Sequence, residues 1–208
     1  MIAAISLMRR RSDVSLATFR RHWLDVHGPL VCAFAGLRRY VQHHVIESPA
    51  MTVLARDMRV DGFPILTFDH DADRVKAHRS PEMAACNVDS RHFIGAVSRV
   101  ICRHDVVLAP PPDAGRIRLL ALLPGGSADD VALDRYVADI KSRPGLCGAV
   151  LYRVLQQGPA PNSTIPHLPV SVAGIVELSF ASLVDLECAM EGNNPVAAHF
   201  VVEEHRLV

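Results

Sequence analysis

Asp61-Gly62-Phe63-Pro64-Ile65-Leu66-Thr67-Phe68 and Ala173-Gly174-Ile175-Val176-Glu177-Leu178-Ser179-Phe180 align without a gap, glycine on glycine and phenylalanine on phenylalanine. Each run is apolar, short and strand-like. Each leads into a helical stretch, Asp71 to His78 and Leu183 to Met190. Upstream of both lies a glycine followed by an extended segment, Gly36 to Val45 and Gly145 to Val154. Further upstream, the apolar segments Ile2 to Met8 and Ile117 to Leu123 read as opening strands. Downstream, both series close on a β-branched run with a late histidine, Val100 to Val107 with His104 and Phe200 to Leu207 with His205.

Strand, helix, strand, strand, helix, strand, twice over, is the ferredoxin-like βαββαβ pattern repeated. The expected class is therefore α+β, with modules at 1–108 and 116–208. The Ala109-Pro110-Pro111-Pro112-Asp113-Ala114-Gly115 stretch, 109–115, is a proline-rich linker between them. Such a module lays its helices on one sheet face and leaves the other uncovered. Two independent domains on a proline hinge would each expose that apolar face. Two halves stacked sheet to sheet cover both, giving one pseudo-dimeric α+β barrel. Pro64 is expected at an edge or at the strand start, where its missing N–H costs nothing.

The first helix of the first half is strongly amphipathic. Leu16, Phe19, Trp23, Val26 and His27 share one face while Arg20 and Arg21 point elsewhere. Ser12-Asp13 or Ser15 caps its start, and Gly28-Pro29 bends it. In the second half, Ser127-Ala128-Asp129-Asp130 has capping-box spacing before a shorter helix carrying Leu133, Tyr136, Val137 and Ile140. In the strand that follows Gly36, alternation sets Leu37, Arg39, Val41, His43 and Val45 on one face and Arg38, Tyr40, Gln42 and His44 on the other.

Lys plus Arg and Asp plus Glu are both 22 in 208 residues, so the chain lacks the basic field that a nucleic acid or anionic membrane requires. Zero net charge also favours association, which leaves room for a homodimer of the fused pair. The cysteine count, five, is odd and without C-x-x-C spacing, so a reduced cytoplasmic setting is expected and the thiols read as small core residues. Apolar residues precede Arg9-Arg10-Arg11, the reverse of a signal peptide. No apolar run approaches the roughly 18–20 residues of a membrane span. No H-x-x-x-H occurs, and His22 and His27, five apart on a helix, are a poor pair for one metal. Neither G-x-G-x-x-G nor a phosphate loop is present, and Gly125-Gly126-Ser127 reads as a turn with a cap. No metal and no cofactor are expected.

Phe19-Arg20-Arg21-His22-Trp23-Leu24-Asp25-Val26-His27-Gly28-Pro29-Leu30, followed by Gly36-Leu37-Arg38-Arg39-Tyr40-Val41, resembles the EthD family of dimeric α+β barrels. The resemblance continues at Asp61-Gly62 with Phe68 and at Asp89 with Phe93. It covers the first half almost completely. The second half keeps the Gly174–Phe180 strand but lacks the Trp-x-x-x-His pair and has Ala173 where the first half has Asp61. The resemblance implies a role beside oxidative degradation of an ether, under a loose oxidoreductase label. Related barrels include cofactor-free lactone isomerases and polyketide-modifying decarboxylases, dehydratases and oxygenases. In a muconolactone-type methylisomerase a helix histidine and a strand tyrosine flank a Gly-Leu turn, and His27 and Tyr40 sit at similar places.

His27 is the candidate general base or acid; alternatively its ring bonds a carbonyl at the Gly28-Pro29 break. Tyr40 can donate to an oxyanion, or simply pack a strand face. Asp61 can orient a histidine, or form an ordinary turn before glycine. Trp23, His44, Phe68, Asp89 and Phe93 are the expected substrate-binding residues, with Asp89 alternatively a cap for a short turn. The expected function is cofactor-independent, His-assisted proton transfer on a small hydrophobic oxygenated compound such as a lactone, quinone or phenol. The alternatives are a non-catalytic binding or accessory protein for a partner oxygenase, and a purely structural oligomer.

Overall fold

Gly62 and Gly174 explain physically why the two aligned blocks read alike. A Cβ on Gly62 would stand 2.3 Å from the Trp23 ring, and one on Gly174 would stand 2.4 Å from the Leu133 side chain. In both places a helix crosses a strand so closely that only glycine leaves room. Gly36 and Gly145 match in the same way, with φ of 78° and 75° and with Asp73 and Asp185 packed against them.

The computed structural model describes residues 1–112, 114–125, 130–159, 163–191 and 197–208. The first half runs β1 (Ile2–Arg10), α1 (Leu16–His22), a widened turn (Trp23–His27), α2 (Gly28–Cys32), β2 (Leu37–Val45), α3 (Val53–Met58), β3 (Gly62–Phe68), α4 (Asp71–His78), α5 (Pro81–Ser90) and β4 (Ile94–Leu108). The second runs β5 (Ile117–Pro124), α6 (Asp130–Ile140), β6 (Leu146–Gly158), β7 (Val172–Phe180), α7 (Leu183–Met190) and β8 (Ala198–Arg206). All strand pairings are antiparallel and close into a barrel in the order β1-β3-β2-β8-β5-β7-β6-β4. The order β4-β1-β3-β2 recurs as β8-β5-β7-β6. Even the irregularities correspond, since β2 shifts register against β3 between Leu37 and Arg39 as β6 does against β7 between Leu146 and Gly148.

The expected α+β class and barrel are present, but the halves meet differently from a simple face-to-face stack. Hydrogen-bonded ladders β2–β8 (Val41↔Arg206 to Val45↔Val202) and β4–β6 join them, so the sheet has no free edge. One continuous buried cluster spans both halves, with Phe63 and Phe200 packed edge to face at 5.0 Å. Pro64 is not on an edge. Its strand pairs on both sides, and the ladder to β1 skips Phe63 and Pro64 between Ile5↔Ile65 and Met8↔Gly62. The missing donor is accommodated by that gap.

Ser15 caps α1, its side chain accepting from Thr18 N–H at 3.1 Å. α3 and α5 are helices beyond the expected pattern, and Asp89 lies inside the last turn of α5 rather than capping a short turn. The expected cap at Ser127 and the Gly126–Ser127 turn lie outside the described residues, as does Asp113 of the linker. Among the described residues no helix is long and apolar enough to cross a membrane.

Candidate active site

Pro29 shapes the site before any side chain does. It has no N–H, and in a regular helix its ring would crowd the carbonyl of residue 25. The chain answers with one widened turn, in which Gly28 N–H bonds the carbonyl of Trp23, five residues back. In a regular helix His22 and His27 point roughly 140° apart. Through the widened turn both reach one carboxylate. His22 Nε2 is 2.9 Å from Asp89 Oδ1, and His27 Nδ1 is 2.8 Å from Asp89 Oδ2. Phe93 packs against both rings, at 4.9 Å from His22 and 5.1 Å from His27.

A carboxylate can only accept, so His27 holds its proton on Nδ1 toward Asp89 and leaves Nε2 with a lone pair. Burial pushes the His27 pKa below its ordinary value, and Asp89 opposes that shift without overcoming it. His27 is therefore a neutral, oriented base near pH 7. His22 was legible only as a poor metal partner, because five-residue spacing carries meaning only once the turn is widened.

Beneath the helix, β2 presents the face read from its alternation. Tyr40 Oη accepts from Trp23 Nε1 at 3.2 Å and from Gln42 Nε2 at 2.9 Å. Gln42 Nε2 also donates to the Trp23 carbonyl at 2.8 Å, and its Oε1 bonds His44 Nε2 at 3.0 Å. His44 stacks on Trp23 with centroids 4.5 Å apart and planes at 7°. Burial, with His205 and Arg20 nearby, pushes His44 down to about 3, so it stays neutral and structural. Burial raises the Tyr40 pKa despite its two donors. The phenol thus keeps its proton, and among the described residues no acceptor takes it. Gln42, which ties strand to helix, was placed on the right face by alternation but had no motif to single it out.

His27 and Tyr40 line the same cavity, about 80 Å³, closed by Val31, Phe34, Ile94 and Val97. An outer cleft of about 430 Å³ adjoins it, with His78, Met83, Asn87, Arg99 and Ile101 common to both. Trp23, Phe68 and Phe93 are fully buried packing residues rather than cavity walls. Asp89 stands behind His27. Asp61 lies elsewhere: it bonds the Arg10 backbone N–H at 2.8 Å and pairs with the Arg10 guanidinium, clamping β1 to the start of β3. His27, Tyr40 and Asp89 are thus brought together and Asp61 is not.

On its other face β2 sends His43 into the barrel interior. The ligand atoms of His43, Glu177 and Glu204 lie within 4.8 Å of one another, a set able to hold a metal ion. Arg39 and Arg118 approach Glu204 at 3.5 and 3.6 Å, and Tyr152 donates to Glu177 at 2.7 Å. Burial opposes ionisation of Glu204, yet His43, Arg118 and Arg39 hold it down to about 2. The two guanidiniums already balance both carboxylates, so a cation here would meet like charge.

Residues 11–96 match the model of the EthD domain. The matched stretch lies wholly within the first half of the chain. No curated protein matches the chain. The fold resembles an anthrone oxidase-like protein (TM-score 0.59, 9% identity, 99% of this chain and 92% of that one). It also resembles a monooxygenase-like protein from Lactobacillus acidophilus NCFM (TM-score 0.57, 8% identity, 100% and 95%). Another such protein, from Fusobacterium nucleatum, has a TM-score of 0.56 at 6% identity over 98% and 91%. At these identities the likeness is one of fold.

The stretch that matches the EthD domain supplies His27, Tyr40 and Asp89, but the rest of the chain completes the walls. Ile165 lines the inner cavity, and Gln156 to Pro159 line the outer cleft. The loop carrying Ile165 is tied down on β4, with Val97 N–H bonding the Pro166 carbonyl at 3.0 Å and Leu168 N–H bonding Val97 at 3.0 Å.

Proposed function

We propose that this chain is a cofactor-independent enzyme that moves a proton on a small, hydrophobic, oxygenated molecule. The observation that carries this reading is the Asp89–His27 pair, which leaves the lone pair on Nε2 of a histidine that lines the same cavity as Tyr40. His27 Nε2 takes a proton from the carbon next to a carbonyl, or from an enol or phenol oxygen. The electron pair left behind spreads onto the carbonyl oxygen, where the Tyr40 O–H donates a hydrogen bond to the developing charge. Asp89 stabilises the imidazolium formed. Return of the proton to a different carbon completes an isomerisation. The same anion begins an oxidation by dioxygen, which accords with the oxidase and monooxygenase names on this fold.

The recurring strand order and the paired Gly62 and Gly174 contacts support a second element of the proposal. We read the chain as tandem modules, 1–108 and 116–208 about the 109–115 linker, with chemistry kept in the first. Leu133 occupies the place over Gly174 that Trp23 takes over Gly62. The test is turnover of a panel of aromatic lactones, quinones and phenols by wild type and by His27→Ala. Loss of at least roughly a hundredfold is expected. Unchanged turnover refutes the mechanism, and binding of the panel without any turnover favours an accessory role.

A further inference from the structure

Among the described residues the outer cleft is lined by Arg74, Arg79 and Arg99 and by no acidic residue. In a chain with equal numbers of acidic and basic residues this is a local concentration of positive charge, focused by low-dielectric walls. The three arginines are not equivalent. Arg74 is committed, its Nε 2.6 Å from Asp71 Oδ1. Arg79 is exposed at the rim. Arg99, on β4, lines both the cleft and the inner cavity, and among the described residues its guanidinium meets no hydrogen-bond acceptor and no acid.

Arg99 is half-buried, and its guanidinium reaches the water of the cleft with no acid beside it, so an entering anion would collect a Coulombic return that no protein group takes. Burial and the charge of Arg74 both oppose its ionisation. Only Cys86 acts the other way, and His78 is held down to about 4 by burial, Arg99 and Arg74, so it is neutral at pH 7 and can donate a hydrogen bond. A planar fork of N–H donors at the neck between a polar cleft and an apolar cavity matches a carboxylate in shape and charge.

We propose that Arg99 anchors the carboxylate of an organic monocarboxylic acid, whose apolar body passes Met83 and Ile101 toward His27. Arg99 is the arginine that the cleft and the cavity share, while Arg79 lies out at the exposed rim, so the neck itself fits a monoanion. The inference rests on the proposed proton transfer only for what happens at the far end of the molecule; binding at Arg99 stands apart from it.

The test is isothermal titration of the full chain with benzoate, 2-naphthoate and biphenyl-4-carboxylate. Each is paired with its primary amide, and 2-naphthyl phosphate is included. At least one acid should bind roughly tenfold or more tighter than its amide, the discrimination expected of a charge-assisted pair. Arg99→Gln should bring that acid down to the amide, and Arg99→Lys, which keeps the charge but not the fork, should fall between. If Arg99→Gln does not fold, Arg99→Lys alone carries the comparison. Equal affinity for acids and amides, no binding by any acid, or wild-type affinity in the arginine variants overturns the proposal. Tighter binding of the naphthyl phosphate than of the naphthoate overturns the monoanion assignment. The two readings fail separately: turnover surviving His27→Ala removes proton transfer alone, and loss of acid-over-amide selectivity removes acid binding alone.

Discussion

Replacing Gly62 by alanine tests the junction on which the site is built. The added Cβ would stand 2.3 and 2.8 Å from two Trp23 ring atoms and 3.2 Å from the His43 carbonyl, where ordinary contact begins at 3.4 Å. The indole would have to retreat by about 1 Å. It cannot retreat freely, because Trp23 is fully buried, stacked on His44 and bonded to Tyr40. Overpacking of this kind costs about 1–3 kcal/mol, and losing the Trp23–Tyr40 bond adds about 1 kcal/mol. For a chain of this size, a loss of about 2–4 kcal/mol lowers Tm by roughly 5–15 °C. Trp23 is the only tryptophan, so intrinsic fluorescence reports on it alone. Thermal unfolding followed by emission should show the lower Tm together with a changed native spectrum. A Gly62→Ala protein with wild-type Tm and unchanged emission would refute the close-approach account of both Gly62 and Gly174.

Asp89→Asn removes the acceptor that fixes the His27 tautomer and should cut turnover of any substrate found by roughly a hundredfold or more. The pH profile gives the sign: His27 works unprotonated with a lowered pKa, so the acid limb should fall below the ordinary 6.5, and lower still in Asp89→Asn. Asp61→Ala should instead act on stability, lowering it by about 2 kcal/mol in urea denaturation through loss of the Arg10 clamp. Acid lability should set in early. His44 and His199 are held to about 3 and 4 in the fold, mainly by burial, while the unfolded chain protonates them near 6.5. Their stabilisation is whole above 6.5 and declines as pH falls below it, each losing about 1–2 kcal/mol by pH 5. Urea midpoints at pH 7.5 and 5.0 check this, and equal midpoints would contradict it.

Much of this was legible because short-range rules sufficed. Period-two alternation in Leu37–Val45 assigned His43 and His44 to opposite faces, and they lie in the barrel interior and under the helix respectively. The paired glycines located the strands, because a missing side chain is a local fact with a local cause. Pro64 misled because its cost depends on the neighbouring ladder, and the gap opposite β1 is a property of the pairing. Asp61 looked catalytic from its place beside Gly62, yet its partner Arg10 comes from a strand far away in sequence.

By itself the sequence determined the α+β class, the recurring order of elements and the face of β2 that carries Tyr40 and Gln42. These follow from periodicity, backbone restriction and apolar patterning, which act over a few residues. Only the tertiary structure decided that the sheet closes through β2–β8 and β4–β6, and that Pro29 widens a turn so that His22 and His27 share Asp89. It alone set Arg99, without a partner among the described residues, where cleft and cavity share their lining. Hydrogen-bonded closure and charge pairing join residues distant along the chain, and their energies depend on distances and burial that exist only after folding.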